Sequence, residues 1–203
     1  MNLEEEVIVK MEAAIRNMHL TELKGFYKRM TLDFAEGEYP PYDKLYVQLE
    51  NNIQKGLVFV RDGRDCAYAI CAGGTENNFV LISFFAVYEE FRGTGIGTAF
   101  LEKIKELYSN ADGIIVEVET VEAALNEKDI SVREKRMKFY RRAGFNMVPD
   151  IKYSIWNVPM HLMVLPCKLP QKFINENIGT IIYDIYFALL GKENIHKMEF
   201  EKL

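Results

Sequence analysis

An almost wholly apolar run, Val80 to Val87, passes through Tyr88-Glu89-Glu90-Phe91 into Arg92-Gly93-Thr94-Gly95-Ile96-Gly97-Thr98, and no other stretch restricts the fold as strongly. The run is rich in β-branched and aromatic residues, the pattern of a central strand buried on both faces. Phe100, Ile104, Leu107 and Tyr108 then recur at helical spacing across Thr98 to Tyr108, and a second apolar strand is predicted from Gly113 to Thr120. Strand, glycine turn, helix and strand make one βαβ unit, whose helix must cross over right-handed to lie back on the sheet. Glycines at 93, 95 and 97 leave backbone N–H groups unobstructed at the helix N-terminus. The orphan donors and positive dipole end there favour an anion, and a pyrophosphate would fit.

Several loops put glycines before a helix. A dinucleotide-binding turn reads G-x-G-x-x-G with an acid about 20 residues on; glycines at 93, 95 and 97 lack the third interval. A Walker loop ends in Gly-Lys-Ser or Gly-Lys-Thr, which this chain does not have there. A tight βα connection without any ligand is the remaining local reading.

Two motifs, in order, decide between them. Arg92-Gly93-Thr94-Gly95-Ile96-Gly97, with its lead-in Ala86-Val87-Tyr88-Glu89-Glu90-Phe91, resembles the R-x-x-G-x-G loop of the GNAT N-acetyltransferase superfamily. Downstream, Phe139-Tyr140-Arg141-Arg142-Ala143-Gly144-Phe145 resembles that family's F-Y-x-x-x-G-F signature. The resemblance covers roughly Val58 to Pro166. It implies acetyl-coenzyme A or another acyl-CoA as ligand, with Arg92 and Thr94 in the loop and the pyrophosphate on the amides of Gly93, Gly95, Ile96, Gly97 and Thr98. It also implies a pantetheine arm paired with backbone at Ala86 and Val87, where two parallel strands splay apart.

Acyl transfer to an amine needs a base to free the amine and an acid for the departing thiolate. The resemblance makes Tyr140 the candidate acid; packing in the core is its plainer role. Many family members carry a glutamate on the strand before the loop, but Ser83-Phe84-Phe85 offers no carboxylate here. The next strand supplies Glu117 and Glu119, which period-2 alternation sends to one face. Both are candidate bases, Glu119 narrowly ahead, against a solvated face or salt bridges to nearby arginines.

The helix carrying Tyr140 is basic. Arg133 and Arg136 lie seven and four residues before it, on its face toward the acyl-transfer cleft, as candidate acceptor contacts or as partners of Glu117 or Glu119. Lys138 and Arg142 are set either for the CoA 3′-phosphate or for solvent. A narrower resemblance, to an uncharacterised bacterial GNAT-like group, rests on Phe34 to Tyr42, on Val116 to Glu119 with the arginine-rich helix, and on a late strand Met160 to Pro166. The wider family builds one acceptor wall after the first helix, which makes Glu38, Tyr39 and Tyr42 candidate acceptor contacts; an ordinary proline-rich loop is the alternative.

At 203 residues with 49% hydrophobic and 27% charged, the chain can build one substantial core. A formal charge of −5 argues against nonspecific nucleic-acid binding and slightly favours a cationic acceptor. Cys66, Cys71 and Cys167 show neither disulfide nor zinc spacing and read as free cytosolic thiols, and the three histidines form no metal-ligand pattern, so no metal is expected. Val7, Met11, Ile15 and Met18 predict an amphipathic N-terminal helix rather than a signal peptide. Strands at Leu57 to Val60 and Cys66 to Cys71 with Asp62-Gly63 between them predict a hairpin. Past the usual end of the fold, Phe173 to Leu190 predicts a helix ending near Gly191, apolar on more than one side, interrupted by Asp184 and too short to span a bilayer. Packing on its own domain is its expected role; a homodimer contact and a wall of the acceptor pocket are the others.

The expectation is therefore an α/β (α+β) GNAT fold: a mixed, mostly antiparallel sheet flanked by helices. Residues 1–168 form the acyltransferase domain and residues 169–203 a helical extension. The expected activity is cytoplasmic transfer of an acetyl group from acetyl-CoA to a primary amine, on a small molecule or a protein, by direct attack in a ternary complex. No nucleic-acid or membrane partner is expected. A noncatalytic acyl-CoA sensor or interaction protein is the alternative.

Overall fold

The computed structural model describes residues 13–35 and 37–203. In chain order the elements are β1 (Ala13–Asn17), α1 (Leu23–Asp33), α2 (Tyr42–Glu50), β2 (Gln54–Arg61), β3 (Arg64–Gly73), β4 (Phe79–Val87), α3 (Ile96–Leu107), β5 (Gly113–Glu119), α4 (Glu127–Arg142), β6 (Asn146–Met147), β7 (Ile151–Ile155), β8 (Val158–Pro166), α5 (Gln171–Asn194) and β9 (Met198–Lys202). One sheet runs β1-β2-β3-β4-β5-β8-β7-β9, with β6 also on β8. Among these pairings only β4 with β5 is parallel, as a βαβ crossover requires. This is the mixed, mostly antiparallel sheet flanked by helices that the sequence predicts.

Alternation along the strands divides the interior. Val80 and Ile82 of β4, with Ile114, Val116 and Val118 of β5, face α3 and α4 and meet Phe100, Ile104, Tyr140 and Phe145. Phe79, Leu81 and Ile115 face the other way, onto Ile174, Ile178, Ile182 and Ile185 of α5. Beside α5 on that side, α1 and α2 bury Leu23, Phe26, Met30 and Leu45 against Val58, Tyr68 and Ile70. Each fully buried isoleucine of α5 contributes roughly 1.5–3 kcal/mol of gross transfer free energy, which holds this helix on the sheet.

The predicted hairpin forms between β2 and β3, with Asp62 (φ 52°) and Gly63 (φ 73°) in the left-handed conformation that a two-residue turn needs. The amphipathic N-terminal helix is corrected over its described part. Ala13–Asn17 is a strand, pairing antiparallel with β2 and covering that sheet edge, with Ile15 opposite Phe59. Val7 and Met11 lie outside the described residues, and the first described α-helix is α1. The C-terminal helix breaks at Gly191 (φ 70°, ψ 172°), as its sequence predicts, and the chain then adds β9 against β7, which the helical pattern did not foresee. Asp184 does not interrupt α5. Its carboxylate accepts from Thr75 Oγ1 (2.9 Å), the Glu76 amide (2.9 Å) and Asn77 Nδ2 (2.7 Å), pinning the β3–β4 turn to the helix. Among the described residues no helix is long and apolar enough to cross a membrane.

Candidate active site

The site begins where β4 and β5 part. Their pairing runs from Phe79↔Gly113 to Ile82↔Val116 and stops, although β4 continues to Val87 and β5 to Glu119. The cause lies on the other edge of β4. Ile70 pairs with Phe84 but Cys71 with Ile82, so Ser83 is an extra residue, and a bulge of this kind bends its strand away from its neighbour. Ser83 and Glu117 are thus the first residues past the fork on either side. Tyr88 N donates to Cys66 O (2.9 Å), which fixes the ladder phase: Ala86 directs its amide and carbonyl to β3, while Phe85 and Val87 present theirs to the gap. Of the two residues expected to pair with a pantetheine arm, Val87 faces the gap and Ala86 does not.

At the mouth of the gap, Gly93 (φ 78°) and Gly95 (φ 84°) turn the chain into α3, and Gly95 caps the helix. A Cβ on Gly97 would sit 3.4 Å from Val87 Cγ2, so this glycine lets α3 lie close on β4. Among the described residues, the amides of Gly93, Gly95, Ile96, Gly97 and Thr98 have no hydrogen-bond partner. Five free donors at a helix N-terminus, with open space around Gly93 and Gly95, fit a pyrophosphate. Arg92 braces this loop: its Nε donates to Val87 O (3.0 Å) and its Nη2 meets Asp33 Oδ1 (2.8 Å). Thr94 Oγ1 donates to Phe91 O (2.6 Å), again within the loop. Between α3 and α4 beside the loop is a groove of about 270 Å³ lined by Thr98, Glu102, Lys135, Lys138, Phe139 and Arg142.

On the α1, α2 and α5 side of the sheet, the fork opens into a cavity of about 510 Å³. Glu117 and Glu119 both line it, on one face of β5 as alternation requires. Glu117 is half-buried and accepts the Tyr186 hydroxyl at 2.9 Å on Oε1 and 2.8 Å on Oε2, and a further hydroxyl from Tyr153. Burial pushes its carboxyl up, and the two phenol bonds pull it part of the way back. Burial also holds both phenols well above their ordinary value, so they remain protonated donors. Glu119 is paired with the Arg136 guanidinium. Arg133 turns away to Asp129 (2.9 Å) and the Thr120 carbonyl (2.6 Å), correcting the expectation that it meets Glu117 or Glu119.

Of the acceptor-wall residues, Glu38 and Tyr39 line the cavity, while Tyr42 packs edge-on against Tyr27 behind it. Tyr140 belongs to the core on the α3–α4 side, 6% exposed and edge-on to Phe139 and Phe145. It does not line the cavity. Burial pushes its phenol up to about 12, with Arg136 drawing it down and Glu119 raising it. Its hydroxyl makes no hydrogen bond among the described residues. The sequence offered the C-terminal helix as one wall of the acceptor pocket, but the residues that form the far wall were not named from it: Gln48, Gln54, Trp156, and Tyr186 and Leu189 of α5. The amphipathic pattern of α5 signalled burial, but nothing local to these residues shows that they converge. Cys66, Cys71 and Cys167 are free, and among the described residues no cluster could hold a metal ion.

Residues 53–147 match the acetyltransferase (GNAT) domain family. A Bacillus subtilis (strain 168) protein named "Putative acetyltransferase YjbC" is 27% identical over 129 residues, spanning 62% of this chain and 60% of that protein. Among solved structures, a Bacteroides thetaiotaomicron protein assigned to the GNAT family superposes with a TM-score of 0.64 at 19% identity, covering 84% of this chain and 98% of its own. The Escherichia coli ribosomal-protein-S18-alanine N-acetyltransferase gives 0.58 at 17%, covering 79% and 97%. A chimera of the spermidine N-acetyltransferase SpeG from Vibrio cholerae and hSSAT gives 0.59 at 11%, covering 76% and 95%. The two ordered motifs, the β4–β5 fork and the free amides of the glycine loop accord with these matches: the chain has the GNAT fold, and residues 53–147 carry its similarity to the acetyltransferase (GNAT) domain family.

Proposed function

We propose that the protein transfers an acetyl group from acetyl-CoA to a primary amine by direct attack in a ternary complex. The observation that carries this reading is the convergence at one fork. The gap beyond Ile82 and Val116 leads from the free amides of the glycine loop to a cavity with carboxylates in its wall. The solved neighbours include an enzyme named for a protein alanine and one named for spermidine, so the fold by itself leaves both kinds of acceptor open. A concave cavity of about 510 Å³, within the size range of small-molecule sites, favours a small molecule. In this reading residues 169–203 belong to the catalytic unit, because Tyr186 and Leu189 wall the cavity, and the free thiols accord with a cytoplasmic setting.

Acetyl-CoA supplies an acetyl group activated as a thioester. The loop amides and Thr98 hold its pyrophosphate, Val87 lines its arm, and Lys138 and Arg142 are available to its 3′-phosphate. Glu117 is the better base. Its carboxylate faces no cation among the described residues, and burial raises its proton affinity toward that needed to accept a proton from an ammonium group near neutral pH. Glu119 is occupied by Arg136, and the pair fixes the electrostatics around Tyr140. The amine nitrogen, freed of one proton, forms the new C–N bond as the C–S bond breaks. Tyr140 gives its proton to the departing sulfur, and the nitrogen's second proton, lost as the amide forms, passes to the phenolate. The raised phenol keeps its proton available at neutral pH, and its hydroxyl has no competing partner among the described residues.

Tyr140→Phe tests the acid. Turnover is expected to fall by roughly 10²-fold or more, in the range of lost general acid catalysis, while calorimetric CoA affinity stays unchanged. Undiminished turnover would remove Tyr140 from this role.

A further inference from the structure

The cavity wall holds buried polar atoms without partners among the described residues. Gln54 is 5% exposed, and its amide makes no hydrogen bond among the described residues, with Oε1 fully buried. Gln48, 6% exposed, donates through Nε2 to Leu189 O (2.7 Å), which fixes Oε1 as the acceptor end; that oxygen is buried without a partner too. Ser83 Oγ, at the bulge, is the third such atom. All three side chains line the same cavity. Leaving a buried polar atom unpaired is costly, and two amide oxygens, which can only accept, and one hydroxyl around one cavity mark groups that a ligand completes. The charges agree in sign: carboxylates at Glu38, Glu117 and Glu119 face cations at Lys44 and Arg136, and Arg136 is already paired with Glu119.

We propose that the acceptor is a small cationic amine whose body carries a second hydrogen-bond donor, a hydroxyl or an N–H, received by the amide oxygens of Gln54 and Gln48. This rests on the acetyltransferase reading of the same site. The ammonium end meets Glu117 beside the fork, and the apolar body lies along Phe84, Trp156 and Met160. The second donor turns the Gln54 amide into the cavity about its terminal torsion, which is broad and about two-fold in glutamine. Tyr186 and Leu189, one helical turn apart on α5, tie the two ends together: Tyr186 holds Glu117, and Leu189 O holds Gln48. The extension after the family domain thus fixes the spacing between amine and second donor.

The test is calorimetric binding to the full-length, CoA-saturated protein. The probes are linear aminoalcohols of butane to octane length, their methyl ethers, the diamines and the ω-amino acids of equal length. The aminoalcohols or diamines are expected to bind about tenfold tighter than the ethers, which accept but do not donate. Gln54→Leu should bring that ratio close to one, and Gln48→Met does the same should the first variant fail to fold. Ethers binding as well as alcohols, amino acids binding best, or no probe binding would each overturn the proposal. Because binding is read apart from turnover, acetyl transfer to amines without donor preference would sink this inference and leave the acetyltransferase reading standing. Donor-selective binding with no thiol release would do the reverse.

Discussion

Replacing Tyr186 with Phe removes one oxygen from a buried ring and leaves its packing in place, so its consequence can be followed to a single group. That oxygen donates to both carboxylate oxygens of Glu117, at 2.8 and 2.9 Å. Burial raises the Glu117 carboxyl and the phenol bonds lower it, so losing one bond moves it further up. A hydrogen bond to a charged acceptor contributes about 1.5–3 kcal/mol, which corresponds to about tenfold or more in the balance between the ionised and protonated carboxyl. Glu117 takes up a proton only when it is ionised. The acid limb of kcat/KM should therefore move to higher pH, with activity on that limb lowered about tenfold or more and the plateau held within roughly twofold. The assay is thiol release across a pH series with one acceptor for both proteins, so that the acceptor's own titration cancels. An acid limb that does not move, or a loss uniform across pH, would refute the assignment of Glu117 as base and reduce Tyr186 to packing.

Further outcomes follow from other parts of the structure. Lys138 and Arg142 flank the groove beside the glycine loop, so replacing both with Ala should weaken CoA about tenfold by calorimetry and leave dephospho-CoA unchanged; equal losses for both ligands would exclude a 3′-phosphate contact. Asp184→Ala removes three hydrogen bonds that tie the β3–β4 turn to α5, costing about 2 kcal/mol and lowering Tm by about 4–8 °C in scanning calorimetry. An unchanged Tm would show that the turn holds without it.

What the sequence disclosed is what neighbouring residues encode. The β4-α3-β5 unit, the hairpin at Asp62-Gly63 and the break at Gly191 each depend on periodicity or on a turn within a few positions, and each is found. Ala13–Asn17 was misread because Ile15 and Met18 also fit a helical spacing; only the unpaired edge of β2, more than 40 positions away, makes the segment a strand. Met198-Glu199-Phe200-Glu201 carries the alternation of β9 openly, but four residues beside a long helix are a weak signal. Glu117 and Glu119 were legible as a pair because strand alternation puts them on one face. Their difference was not, since it depends on Arg136 seventeen positions on and on Tyr186 sixty-nine positions on. The residues of the cavity's far wall were hidden for the same reason: Gln48 and Leu189 meet across 141 positions.

The central claim, acetyl transfer at the β4–β5 fork, is tested most directly by following free-thiol release from acetyl-CoA in the presence and absence of a panel of primary amines, with CoA titrated alongside. The account predicts CoA binding together with amine-dependent release. Tight CoA binding without release for any amine would contradict it in favour of a noncatalytic acyl-CoA sensor, and the absence of CoA binding would contradict the reading of the glycine loop itself.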